Sequence, residues 1–318
     1  MEPVEKFIDR GDLEEEYKVL LNELSGNVEE CVNFGSHLVS WLFQIPNGNE
    51  VDLPIIMFLR NILDELDAIS ILIKYSSIES CNNLLRTVLE NFFHLEYILE
   101  KDTYDRSMCF LVWNAFKTKK TLSKLDGFSQ NYMNFKSLWE KDKFLMQKPI
   151  IKIANIEDDK KSNQNLLNSE LYERYRVEYE RTKTIKNNPE WYSLFNGPKN
   201  LEGLAQYLNY YGYYEILYRQ LSAAAHGVDI LDKISNIGNN RVALSQIRTP
   251  SKNCTQISQY SFNLCTTVFR SIISKKIPDK KDRFDDWYQE RKKISDDIHN
   301  VNIIENYTNR NPEENTIK

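Results

Sequence analysis

Apolar residues recur at three- and four-residue intervals through residues 12–26, 28–45, 51–74, 78–101 and 103–124, with charged and amide residues between them. That period matches the 3.6-residue helical turn, so this part of the chain is predicted to be a succession of antiparallel amphipathic helices. Pro46-Asn47-Gly48-Asn49 reads as a turn, because proline ends the preceding helix and glycine supplies positive φ. Asp102-Thr103 offers an N-cap to the helix that follows. From about Lys141 to Asn188 the apolar pattern thins. The run from Glu157 to Asn163 is too polar to bury anything and is expected to be an exposed loop or mobile linker. Within that region Leu171, Tyr175 and Tyr179, at i, i+4 and i+8, would still allow a charged, solvent-facing helix over 166–186.

After Pro189, Gly197 and Pro198 a long helix is predicted from about Leu201 to Gly227. Residues 254–276 and 282–299 form two more. Arg241 to Ile247 alternates as a single short strand with no evident partner. The expected fold is therefore an all-α multi-helix bundle with at most one short strand segment near 241–247. Its expected divisions are N-terminal helices over 1–50, a helical core domain over 51–235 with a polar linker at about 141–188, and C-terminal helices over 236–318.

Composition narrows the function classes. With 41% hydrophobic residues in 318, the chain can bury a sizeable core. The formal net charge of −5 gives no global attraction to nucleic acid or an anionic membrane, so any phosphate contact must come from a local basic patch. Five scattered cysteines, Cys31, Cys81, Cys109, Cys254 and Cys265, lack metal-ligand spacing and read as core thiols of a reducing compartment. Met1 to Glu5 shows no basic region leading into an apolar stretch, and no apolar run approaches the roughly eighteen residues of a membrane span. A cytoplasmic protein with no membrane contact is expected. No phosphate loop, nucleophile elbow, paired-cysteine zinc spacing or His-Glu-x-x-His pair is present, so neither metal nor other cofactor is expected.

Candidate chemistry rests on two polar ridges. Among four histidines, His37 and His299 sit in ordinary amphipathic or charged surroundings and read as structural. Glu215, Arg219, Ser222 and His226 fall within about 60° of one another on an ideal helix, opposite Tyr214, Leu217, Leu221 and Ala224. The ridge combines a guanidinium that can clamp a phosphate with an imidazole that can move a proton near neutral pH. A salt-bridged surface face, with Glu215 pairing Arg219 at i, i+4, would look the same. Arg86, Glu90 and His94 form a second ridge opposite Leu85, Val88, Leu89 and Phe92. It reads either as an internal ion pair holding two helices or as the second half of the His226 site.

Leu85-Arg86-Thr87-Val88-Leu89-Glu90, then Trp191-Tyr192-Ser193-Leu194, then Tyr214 through Tyr218-Arg219-Gln220-Leu221-Ser222 to His226-Gly227 resemble, in that order, domain of unknown function 5677, a family of helical proteins. The similarity spans roughly Ile55 to Asp229. Where family members carry an Arg-Glu pair after the Trp-Tyr segment, this chain has Leu201-Glu202.

The separation of Arg219 from His226 is also similar to the Arg-x(4–6)-His signature of HEPN domains, many of them metal-independent ribonucleases of toxin–antitoxin and phage-defence systems. Gln220 stands where those motifs carry Asn, Asp or His. The resemblance implies an endoribonuclease in which Arg219 holds the scissile phosphate and His226 acts as general acid or base, leaving a 2′,3′-cyclic phosphate. It implies RNA as substrate, a homodimer joining two motifs near the small Ala223-Ala224-Ala225 surface, and a protein partner such as an antitoxin. Glu215, Ser222, Arg86 and Glu90 would support the site. The other reading of the same residues is a non-catalytic helical interaction or regulatory module, with a small-ligand sensor as a third.

Overall fold

The computed structural model describes residues 13–45, 50–150, 154–225, 234–236, 242–244, 248 and 253–299. They form an all-α, multi-helix fold divided into two units, residues 1–101 with 205–318 and residues 102–204. Among the described residues no helix is long and apolar enough to cross a membrane.

The first unit is built on α1 (Glu15–Phe43), α2 (Leu53–Lys74), α3 (Ile78–Glu100), α10 (Asn253–Lys276) and α11 (Lys281–His299). The break expected near residue 27 is absent, and α1 runs through it. Ser25 and Asn27 are buried there, and Asn27 donates to the Ser295 hydroxyl at 3.3 Å while Ser258 donates to the Leu24 carbonyl at 3.2 Å. A tertiary partner thus takes up the Asn27 amide donor, on a residue that in isolation favours a turn, while Ser25 donates to Glu29 one turn on. The apolar stripe Tyr17, Leu20, Leu24, Val28, Cys31 and Leu38 is buried, and α1 packs on α2 and α10. α3 buries Leu85, Val88, Leu89 and Phe92 and packs on α2 and α10. At the far end of α1, Phe34 stacks on Trp287 with centroids 4.4 Å apart, and Phe269 and Phe284 close the cluster.

The segment near 242–244 does have a partner. β2 (Val242–Leu244) pairs antiparallel with β1 (Ile234–Asn236), Ser235 opposite Ala243. A three-residue strand is too short to show the alternation by which its mate could be read from sequence.

The second unit is organised on α4 (Thr103–Leu125), with α5 (Gln130–Trp139), α6 (Ile156–Asn168) and α7 (Glu173–Ile185). Asp102 is the residue before α4, but in the left-handed region at φ 49° and with no side-chain capping bond. The polar run 157–163 is helical rather than a linker, which corrects the expectation drawn from composition. Glu157, Asp158 and Asp159 occupy the first turn of α6, where the helix dipole favours negative charge. Lys160 pairs with Asp126 at 2.8 Å, Asn163 donates to the Ala115 carbonyl at 3.1 Å, and Leu167 is buried. Trp191 of the family-like Trp-Tyr segment is buried edge-on to Phe110, and Glu178 accepts from Arg181, Thr182 and the Phe195 amide.

Candidate functional site

The long helix expected from Leu201 to Gly227 is interrupted. α8 (Leu201–Tyr207) stops at Asn209, which adopts φ 62°. The Asn209 amide donates to the Gln206 carbonyl and the Tyr210 amide to the Ala205 carbonyl, the paired bonds of a Schellman stop, with asparagine tolerating the left-handed residue. The chain then re-enters helix at Tyr211, passes through a π-helical turn at Tyr213–Tyr218, and continues as α9 (Arg219–Ala225). π turns are uncommon and tend to fall at functional sites.

The π turn changes which residues share a face. Its i→i+5 bonding includes the Arg219 amide donating to the Tyr214 carbonyl, and this wider turn brings residues five apart much closer to one face than an α-turn does. Tyr214 is therefore not opposite Arg219, as a uniform 3.6-residue helix requires. The Arg219 guanidinium lies 5.5 Å from the Tyr214 ring centroid. Tyr214 stacks on Tyr218 at 5.0 Å and 17°, and Tyr211 lies beyond Tyr214 at 6.4 Å and 19°, making a short aromatic ladder with a cation at its edge. Glu215 accepts from Arg219 Nε at 2.7 Å, and both side chains are about half exposed, at 45% and 52%. Leu217 and Leu221 are buried, as their side of the ridge requires, and Ser222 is half-buried. His226 lies outside the described residues.

The second ridge is tied to the same turn. α3 packs against α9, and Arg86 Nε donates to Glu90 at 3.1 Å while its Nη2 donates to the Tyr218 hydroxyl at 3.1 Å. The Tyr218 hydroxyl in turn donates to the same Glu90 oxygen at 2.8 Å, closing a triangle. Burial and the Glu90 carboxylate push the Tyr218 phenol up, which keeps it protonated as that donor. Arg86 is also 5.2 Å from the Tyr218 ring centroid. Both ridges thus converge on one tyrosine ladder, through Tyr218 for Arg86 and Glu90 and through Tyr214 for Arg219. The periodic spacing of Tyr211, Tyr214 and Tyr218 was the available sign of this role, but it looks like ordinary core packing.

His94 turns away from this network. Its ring lies 5.3 Å from Phe58, and burial lowers its pKa to about 4, which leaves it neutral. His37 stacks on Trp41 and His299 bonds Ser295, so both take structural places. All five cysteines are buried and free. Among the described residues no group of three His, Cys, Asp or Glu could hold a metal ion.

These features define an all-α protein whose polar chemistry is gathered on a tyrosine-rich π turn. The chain belongs to the family of unknown function DUF5677, whose model matches residues 52–241. No curated protein and no solved structure matches it. The matched region holds α2 through α9 and so both ridges, whereas α1, α10 and α11 lie outside it.

Proposed function

We propose that the protein is a HEPN-like, metal-independent endoribonuclease acting in defence, toxin–antitoxin or stress response. The observation that carries this reading is the exposed Arg219 guanidinium at the edge of the Tyr211, Tyr214 and Tyr218 ladder. Tyrosine faces stack unpaired bases whatever their sequence, and arginine binds phosphate through two parallel donors. A single-stranded RNA with bases on the ladder brings its backbone to Arg219. Release from Glu215 then frees the guanidinium fork for a non-bridging phosphate oxygen.

In the reaction the ribose 2′-oxygen attacks the adjacent phosphorus and the bond to the 5′-oxygen breaks. His226 takes the 2′-hydroxyl proton or returns one to the leaving oxygen. The products are a 2′,3′-cyclic phosphate and a 5′-hydroxyl end, with Arg219 offsetting the charge that builds on phosphorus oxygens. Ser222 and Glu215 orient the site, and the Arg86, Tyr218 and Glu90 triangle holds the π turn against α3. A homodimer brings two such sites together, and light scattering at micromolar concentration reads this directly. An antitoxin-like protein partner restrains the enzyme.

A second reading has its own observation. Arg219 is already committed to Glu215, and Arg86, Tyr218 and Glu90 satisfy one another, which suits a non-catalytic interaction module. Incubation of the purified protein with total and transfer RNA in EDTA separates the two. The nuclease produces cyclic-phosphate ends, and Arg219→Lys, which keeps charge but loses the fork, lowers cleavage by at least about tenfold. Absence of cleavage by the wild-type dimer and by any separated monomer favours the module.

A further inference from the structure

Away from the tyrosine ladder, three helices of the first unit enclose a half-open groove of about 380 Å³. Leu85 on α3 and Ile257 on α10 are buried beneath it, and Leu217 in the π turn with Leu221 and the half-buried Ala224 on α9 supply its small apolar part. Its rim is polar: Glu79 and Asn82 come from the start of α3, Gln220 from α9, and Asn253, Gln256 and Tyr260 from the start of α10. Each helix contributes at three- or four-residue spacing, so the groove is a consequence of three stripes meeting. A concave site with a small apolar part and several convergent polar groups can hold a small ligand, and this volume lies within the usual range.

The chemistry of the rim selects the ligand. Four carboxamides, Asn82, Gln220, Asn253 and Gln256, each carry a donor beside an acceptor, the arrangement that pairs two-pronged with the edge of a heterocyclic base. Among the described residues Glu79 is the one charged group of the lining, and its carboxylate disfavours phosphate and accepts hydrogen bonds from an amine. A purely apolar ligand would offer these amides no hydrogen bond. We infer that this groove takes a nucleobase carrying an exocyclic amine, its ring against Leu217, Leu221 and Ala224 and its polar edge against Asn82, Gln220 and Gln256. The site goes beyond the cleavage reading and rests on it only for the source of the base, a residue of the RNA or a free nucleoside.

Titration of the full chain with adenosine, cytidine and uridine, followed by ligand saturation-transfer NMR and calorimetry, tests this. Adenosine and cytidine are expected to bind roughly tenfold or more tightly than uridine, which has no exocyclic amine. Gln256→Leu and Gln220→Leu are expected to weaken binding by a similar factor with an unchanged melting temperature. Gln256→Glu, similar in shape but without the donor half, is expected to do the same. Weakened RNA binding in these variants assigns the groove to a base of the RNA, and weakened nucleoside binding alone assigns it to a free ligand. Nucleoside binding by a protein that never cleaves RNA removes the nuclease reading and leaves the groove standing. Failure of every nucleoside to bind, or binding unmoved by all three substitutions, overturns the inference.

Discussion

Glu96 and His94, two residues apart on α3, draw stability in opposite directions with pH. Burial raises Glu96 to about 7 from 4.5, against a smaller lowering by the Ser271 hydroxyl. The folded chain therefore keeps a proton that the unfolded chain releases, and this contribution to stability falls as pH rises from 4.5 to about 7. Burial lowers His94 from 6.5 to about 4, so the unfolded chain gains a proton first and this contribution falls as pH drops from 6.5 to about 4. The two offset each other where the windows overlap. Denaturant titrations across this range should show Glu96→Gln removing the first slope and His94→Leu removing the second. At the same scale, Tyr218→Phe keeps the ring but deletes both hydroxyl bonds, and a loss of about 1–2 kcal/mol in unfolding free energy is expected. The Arg86–Glu90 pair was legible because i, i+4 partners are local. Tyr218, 132 residues from Arg86, was not, since no periodicity states which distant face a polar ridge will meet.

The helices themselves followed from hydrophobic period, and the departures have local causes. α1 passes through Gly26 with Asn27 held by the buried Ser295 and Ser25 by Glu29 one turn on, whereas the 201–227 segment stops because Asn209 takes a left-handed conformation that the apolar pattern does not register. The π turn was invisible for a similar reason: it shifts the face by one residue without changing composition. Two glycines of α1 separate propensity from packing. A Cβ at Gly26 meets nothing within 4 Å, so Gly26→Ala should stabilise by about 0.5–1 kcal/mol through lost unfolded-state freedom. A Cβ at Gly35 runs into the Leu63 methyl groups and comes to 3.0 Å from Phe269 Cζ, so Gly35→Val should cost about 1–3 kcal/mol by overpacking. Thermal and denaturant unfolding of the two variants should move in opposite directions.

At the scale of the whole molecule, a net charge of −5 means that the proposed RNA substrate would have to be met by a local patch. Lys117, Lys119, Lys120 and Lys124 are exposed on α4, and Lys136, Lys141, Lys143 and Lys148 are exposed further along the second unit. If this segment carries phosphate contacts, Lys119→Gln should weaken RNA binding equally across sequences and reduce the salt slope by about one. The acid–base role proposed for His226 is tested by cleavage and melting of His226→Ala, measured on one preparation beside the wild type in EDTA. The account predicts that the wild type cuts RNA to cyclic-phosphate ends, and that His226→Ala melts as the wild type does but has lost cutting by about 10²-fold or more. A wild type that leaves RNA intact, with a His226→Ala protein less stable by about 1–3 kcal/mol, would contradict it and mark His226 as a buried structural partner.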